Sequence, residues 1–183
     1  MEGHLEINVS QLLKAPTGTI REYDISEDAD ILETGLKSLV KGNVIFTRTN
    51  RGILVQGKLF TIISIECSRC LKEFDYPLLF EIEEEFFPVI DVNLGTPVEI
   101  PEDTDSFTID EHHILDLNEA IRQNAILAIP MKPLCRKDCA GLCYTCGKDL
   151  NQGKCECEEA PMDPRWAKLV DLVSNKTKKS RRK

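Results

Sequence analysis

A chain of 183 residues with 42% hydrophobic content is long enough for one domain, or for a domain with an appendage, around a packed core. No run of about 18 apolar residues, the length of a membrane span, occurs anywhere; the longest apolar cluster, residues 125–131, is short and contains a proline. The formal net charge of −8 is unevenly spread, because residues 174–183 hold six Lys or Arg and no acid, and removing them leaves a balance of −14.

The first hundred residues read mostly as strand. Residues 5–9, Leu5-Glu-Ile-Asn-Val9, alternate apolar and polar as a half-buried strand does. Ser10 is then expected to cap a short helical turn over 11–14. Residues 19–25 predict another strand, and the acidic stretch 26–34 a loop. Residues 42–48 are rich in β-formers, and Asn50-Arg-Gly52 is a turn signal. A long strand over 53–65 follows, with Gly57 as its expected bulge. Residues 74–87 give a further strand that ends at Pro88, so the intervening Cys67-Ser-Arg-Cys70 lies at a hairpin tip. A tight turn there can aim two thiolates at one point.

Residues 91–113 are acidic, contain Pro97 and Pro101, and predict a loop of low order. Asp116-Leu-Asn-Glu119 has the form of a capping box. The helix it opens should run from 117 to about 129, stop at Pro130, and place Leu117, Ile121, Ala125 and Ala128 on one face. Residues 135–157 are a cysteine-rich module. Asp163-Pro164 announces a last helix, with Trp166, Leu169, Val170 and Val173 as its apolar stripe. The fold class expected is α+β: a mainly antiparallel β N-terminal part, open or barrel-like, followed by helices and a small zinc-binding module. The expected organisation is a β-rich domain over 1–133 with an acidic loop and one helix, a cysteine module with terminal helix over 134–173, and a basic disordered tail over 174–183.

The eight cysteines are spaced C-x2-C at Cys67 and Cys70, then C-x3-C-x3-C-x2-C at Cys135, Cys139, Cys143 and Cys146, then C-x-C at Cys155 and Cys157. Eight is twice the four ligands that structural Zn²⁺ takes in a tetrahedron. Gly147, directly after the second CxxC, can take positive φ and let backbone amides point at sulfur. The favoured grouping puts Cys143, Cys146, Cys155 and Cys157 around one ion and Cys67, Cys70, Cys135 and Cys139 around another. The rival grouping joins Cys135, Cys139, Cys143 and Cys146, leaving Cys67, Cys70, Cys155 and Cys157. A single-zinc chain with Cys67 and Cys70 metal-free is a further alternative. The N-terminus lacks the basic and then apolar regions of a signal peptide, so a cytoplasmic setting is expected, where disulfides rarely persist. An iron–sulfur cluster, or a redox CxxC at Cys67 and Cys70, also fits the spacing.

Other chemistry is sparse. No glycine-rich phosphate loop, HExxH or GxSxG occurs. His112-His113 is read as a solvated pair rather than a ligand or base. Glu83-Glu84-Glu85 lie on a predicted strand and must alternate faces. Nothing assembles a nucleophile, a base and an oxyanion donor, so no enzyme activity is expected.

The order of these features resembles the YceD family, the large ribosomal RNA subunit accumulation proteins. The matching residues are Ile65-Glu-Cys-Ser-Arg-Cys-Leu71, Asp116-Leu-Asn-Glu119 with Ile129-Pro130, Cys139-Ala-Gly-Leu-Cys-Tyr-Thr-Cys-Gly147 with Leu150-Asn151, Cys155 and Cys157, and Asp163-Pro-Arg-Trp-Ala-Lys-Leu169. The resemblance implies a non-enzymatic role in large-subunit (23S) ribosomal RNA synthesis, processing or accumulation. The expected partners are a ribosomal precursor particle or a basic ribosomal protein, met by the acidic surface, with RNA touched through the basic tail; no membrane or small-molecule substrate is expected. The alternatives are a zinc-ribbon nucleic-acid module and a thiol redox protein.

Overall fold

A computed structural model describes residues 5–33, 35, 37–98 and 106–157. The chain divides into two compact units, Met1–Cys139 and Ala140–Lys183. The first continues past the boundary expected at 133/134. Cys135 and Cys139 belong with it, for reasons given below.

The first unit is built on one mixed sheet. Its elements in chain order are β1 (Glu6–Asn8), α1 (Ser10–Leu13), β2 (Ile20–Ala29), β3 (Ser38–Arg48), β4 (Ile53–Glu66), β5 (Glu73–Pro88), β6 (Phe107–Ile109), β7 (Ile114–Asp116) and α2 (Asn118–Ala128). The strand order is β1-β7-β6-β5-β4-β3-β2. The sheet is therefore open, with β1 and β2 at its edges, rather than a closed barrel. β2 to β5 form an antiparallel meander. The pairing of β5 with β6 is parallel, with Phe86 opposite Phe107.

Alternation fixes which side of the sheet is core. On β4, Ile53, Val55, Leu59, Thr61 and Ile63 are buried and the residues between them face outward. Val44 and Phe46 of β3 and Leu78, Phe80 and Ile82 of β5 join them in one cluster. Leu12 and Leu13 of α1 and Ile121 and Ala125 of α2 complete it. The amphipathic face read from sequence thus packs on the sheet, with Leu117 fully buried and Ala128 against the cluster's rim.

Several local expectations are corrected. The acidic stretch 26–29 is strand, not loop: β2 runs on to Ala29 because Ile25 and Ala29 bury their side chains and β3 supplies a partner at every position. Ser10 does not cap α1. Its hydroxyl donates to Asn8 Oδ1 at 2.7 Å, and that same oxygen accepts the Ser10 N–H. Gly57 is not a bulge, since β3 and β4 pair one-to-one through it. A side chain there would meet the Asn43 carbonyl oxygen at 2.6 Å and Val44 Cγ1 at 2.7 Å, so glycine is required by close approach. The expected loop 91–113 contains β6 and the start of the β6–β7 turn; there Asp110 Oδ1 accepts from the amides of His112 and Ile114.

The capping box is half made. Asp116 Oδ1 accepts the Asn118 N–H at 2.9 Å, but Glu119 reaches forward to Arg122 and Gln123 instead of back. The Arg122 guanidinium holds the Glu119 carboxyl down at about 2. The helix expected after Asp163, with Trp166 in its stripe, lies outside the described residues, as does the basic end over 174–183.

Candidate metal centres

The first group of thiols starts from the longest hairpin in the sheet. β4 and β5 pair continuously from Ile53–Phe86 to Glu66–Glu73, and the chain reverses over 67–72. The Cys67 N–H donates to the Lys72 carbonyl and the Leu71 N–H to the Cys67 carbonyl, both at 2.9 Å. Closing that turn puts Leu71 at φ 56, a left-handed conformation that costs a non-glycine residue roughly 1 kcal/mol. The result is a knuckle that points two sulfurs the same way.

The segment after α2 returns to this tip. The Ser68 N–H donates to the Pro133 carbonyl at 2.9 Å, and Arg69 Nη1 to the Cys139 carbonyl at 2.8 Å. These bonds bring Cys135 and Cys139 over the knuckle. The sulfurs of Cys67 and Cys139 stand 3.8 Å apart and those of Cys70 and Cys135 3.7 Å apart, and all four lie within 4.8 Å of one another. Cys67, Cys70 and Cys139 are buried.

The second unit repeats the device. The Cys143 N–H donates to the Lys148 carbonyl at 2.8 Å and the Gly147 N–H to the Cys143 carbonyl at 2.9 Å, with Gly147 at φ 72. Cys67-Ser-Arg-Cys70-Leu71-Lys72 and Cys143-Tyr-Thr-Cys146-Gly147-Lys148 therefore make the same turn with the same bonds. Sequence reasoning found the left-handed position at Gly147 and missed it at Leu71. The shared lysine two residues after each CxxC was the available signal. The Thr145 N–H points at Cys143 Sγ at 3.4 Å, the amide-to-sulfur contact expected of such a turn. Asn151 braces the module by accepting the Ala140 N–H at 2.9 Å, and its own N–H donates to Asp149. Cys155 and Cys157 close the group, with Cys155 Sγ 3.4 Å from Cys143 Sγ and all four sulfurs within 4.8 Å.

The sulfurs are thus grouped as Cys67, Cys70, Cys135, Cys139 and as Cys143, Cys146, Cys155, Cys157. They do not adopt the rival grouping. No histidine joins either group among the described residues, and His112 instead faces Glu111 at 3.7 Å. Glu83 and Glu85 face outward toward Gln56 and Arg51, while Glu84 accepts from Asn124 on the opposite side, so the three do not converge.

Charge within each group is in conflict. The Cys135 backbone N–H lowers the Cys67 thiol to about 6, and the amides of Cys146 and Thr145 lower Cys143 to about 6. Burial, with the neighbouring thiols, pushes Cys135 up to about 12. The hydrogen bond with Cys146, then burial, pushes Cys157 up to about 12. The Lys72 amide pulls Cys70 down, but burial and the thiols of Cys67 and Cys139 outweigh it. One thiolate forms readily in each group and the next is opposed, a conflict that a divalent cation removes.

The donor sets fit one metal ion each. A tetrahedron with metal–sulfur bonds of about 2.3 Å has sulfur–sulfur edges of about 3.8 Å. In the first group the separations of 3.8 and 3.7 Å match that edge; in the second the 3.4 Å between Cys143 and Cys155 is somewhat shorter, and all three are far longer than a disulfide bond. Four sulfurs this close leave room for one ion in each group.

A sequence profile described as "Large ribosomal RNA subunit accumulation protein YceD" matches residues 55–173, well over half the chain. The chain belongs to the YceD family. The matched region begins inside β4 and contains all eight cysteines. An uncharacterised protein of Mycobacterium tuberculosis is 34% identical over 125 residues, which is 68% of this chain and 57% of the relative. One from Mycobacterium leprae is 30% identical over 123 residues, 67% of this chain and 54% of the relative. The Arabidopsis thaliana protein named "Large ribosomal RNA subunit accumulation protein YCED homolog 1, chloroplastic" is 27% identical over 191 residues, covering 93% of this chain and 58% of the relative. The chain thus spans a little over half the length of these curated relatives. No solved structure matches. Among the described residues, no helix is long and apolar enough to cross a membrane.

Proposed function

We propose that this chain is a non-enzymatic factor for large-subunit (23S) ribosomal RNA accumulation whose two cysteine tetrads each hold a structural Zn²⁺. The observation that carries the reading is the pairing of family with geometry: a YceD-family chain whose eight cysteines form two groups of four, the sulfurs of each within 4.8 Å of one another. Cys67, Cys70, Cys135 and Cys139 would hold one ion, and Cys143, Cys146, Cys155 and Cys157 the other. Bound zinc supplies cross-linking here. The first ion would tie the segment after α2 to the β4–β5 tip, and the second would close a module that buries little apolar side chain among its described residues. Neither tetrad leaves a ligand position open for a substrate, which is the mark of a structural rather than a catalytic site. A redox CxxC keeps its two thiols to themselves, whereas Cys67 and Cys70 each have a sulfur of the 135–139 segment within 3.8 Å.

The stretch without Lys or Arg from 73 to 121 suits a basic protein or a precursor particle rather than bare RNA. RNA contact would fall to the basic end. Depletion of the protein in its host should lower mature 23S relative to 16S ribosomal RNA. An unchanged ratio under growth-limiting depletion would remove the ribosomal reading.

A further inference from the structure

The outward side of β2–β5 breaks the rule that a one-sided sheet is polar toward water. Strand alternation puts Leu39, Phe60, Ile62, Pro77 and Leu79 on that side, away from the core. The register sets Phe60 opposite Leu79 and Ile62 opposite Pro77, so the apolar side chains are neighbours and not scattered. Phe60 is 40% exposed, Ile62 52% and Leu79 70%. Contiguous exposed apolar surface with a polar rim marks an interaction site.

The rim is acidic. Asp24, Asp28, Asp75, Glu81 and Glu83 are all exposed on outward positions of these strands. The lysines at outward strand positions are Lys41 and Lys58, of which Lys58 pairs with Glu81 at 2.8 Å, and Lys37, just before β3, lines a hollow with Ile62 and Asp75; Asp24, Asp28, Asp75 and Glu83 still leave the rim net acidic. Next to Phe60 a groove of about 510 Å³ crosses the strands over Gly57, walled by Asn43, Gln56, Lys58 and Glu83.

We propose that this face docks a basic protein segment whose apolar side chains cover Phe60, Ile62 and Leu79 while its Lys and Arg reach the acidic rim. The partner's chemistry follows from the charges. Nucleic-acid phosphates are repelled by the rim, and a second copy of the chain would set the same carboxylates against one another. A cationic, partly apolar polypeptide satisfies both the centre and the edge. This rests on the reading of the chain as a factor that meets basic ribosomal proteins, and it assigns that contact to a place.

The test uses the full, zinc-loaded chain and a fluorescent synthetic peptide of alternating lysine and leucine, with lysine–serine and glutamate–leucine peptides and oligouridylate as comparisons. The lysine–leucine peptide should bind, should shift the amide signals of β4 and β5, and should weaken as salt is added. Phe60→Gln with Leu79→Gln replaces exposed side chains only, so zinc content should be unchanged. Affinity should nonetheless fall by about tenfold or more. Equal binding by chain and variant would overturn the proposal. So would oligouridylate shifting the same amides, or self-association that hides them. Expressed in depleted cells, a variant that has lost peptide binding yet restores the 23S to 16S ratio would refute the docking face alone. Failure of the unaltered chain to restore that ratio would refute the ribosomal reading, leaving the face to be judged by the peptide.

Discussion

Single serine substitutions at the two knuckles should separate the tetrads. Cys67→Ser leaves three thiolates at the first group and should lower the zinc content by one ion per chain. With free zinc a thousandfold above its dissociation constant, a bound ion contributes about 4.1 kcal/mol to the state that binds it. For a chain of this size each kcal/mol moves the melting temperature by roughly 2–4 °C. All four sulfurs of that group lie within Met1–Cys139, two of them at the tip of the β4–β5 hairpin, so the sheet's own transition should fall by roughly 8–16 °C. Cys143→Ser should also remove one ion, but its ligands lie in Ala140–Lys183, and the sheet's transition should stay where it was. The assay is calorimetry and strand circular dichroism in a zinc buffer, with zinc counted per chain by elemental mass spectrometry. Loss of both ions in either variant, or an equal drop of the sheet transition in both, would refute two independent sites.

Three further substitutions probe the framework. Gly57→Ala sets a methyl group 2.6 Å from the Asn43 carbonyl oxygen; the overpacking should cost about 1–3 kcal/mol, against a gain of about 0.5–1 from losing glycine's unfolded-state freedom, and denaturant melts should show a net loss. Leu71→Gly relaxes the left-handed residue of the first knuckle, where Leu71 is 61% exposed; zinc should be retained and stability unchanged or raised by up to about 1 kcal/mol, whereas a drop would show that the Leu71 side chain packs. Thr61→Val removes a fully buried hydroxyl that has no hydrogen-bond partner among the described residues; a gain of about 1 kcal/mol in urea unfolding is expected, and a loss would reveal an unseen partner for Oγ1.

What the sequence made legible was what local chemistry decides. Alternating residues marked β4 and β5, the CxxC at their junction marked the tip, and Leu117, Ile121 and Ala125 marked the buried face of α2. What it hid depended on partners far along the chain. β2 continues through Glu27 and Asp28 because β3 lies beside it, and a three-residue parallel strand such as β6 has no pattern of its own. The bulge expected at Gly57 came from glycine's usual meaning in a strand, while the actual cause was the approach of β3. The cysteines were readable as ligands by type and spacing. Their favoured grouping, read from the closeness of Cys143, Cys146, Cys155 and Cys157 along the chain with the other four left over, is the one the sulfurs adopt; what no local pattern encodes is the chain's return from Pro133 to Ser68 that brings the first group together.

Metal content of the full chain, purified without added metal and measured by elemental mass spectrometry beside a free-thiol count, tests the central claim most directly. The two tetrads predict two zinc ions per chain and few reactive thiols. A folded chain that carries no metal and has all its thiols reactive would contradict it.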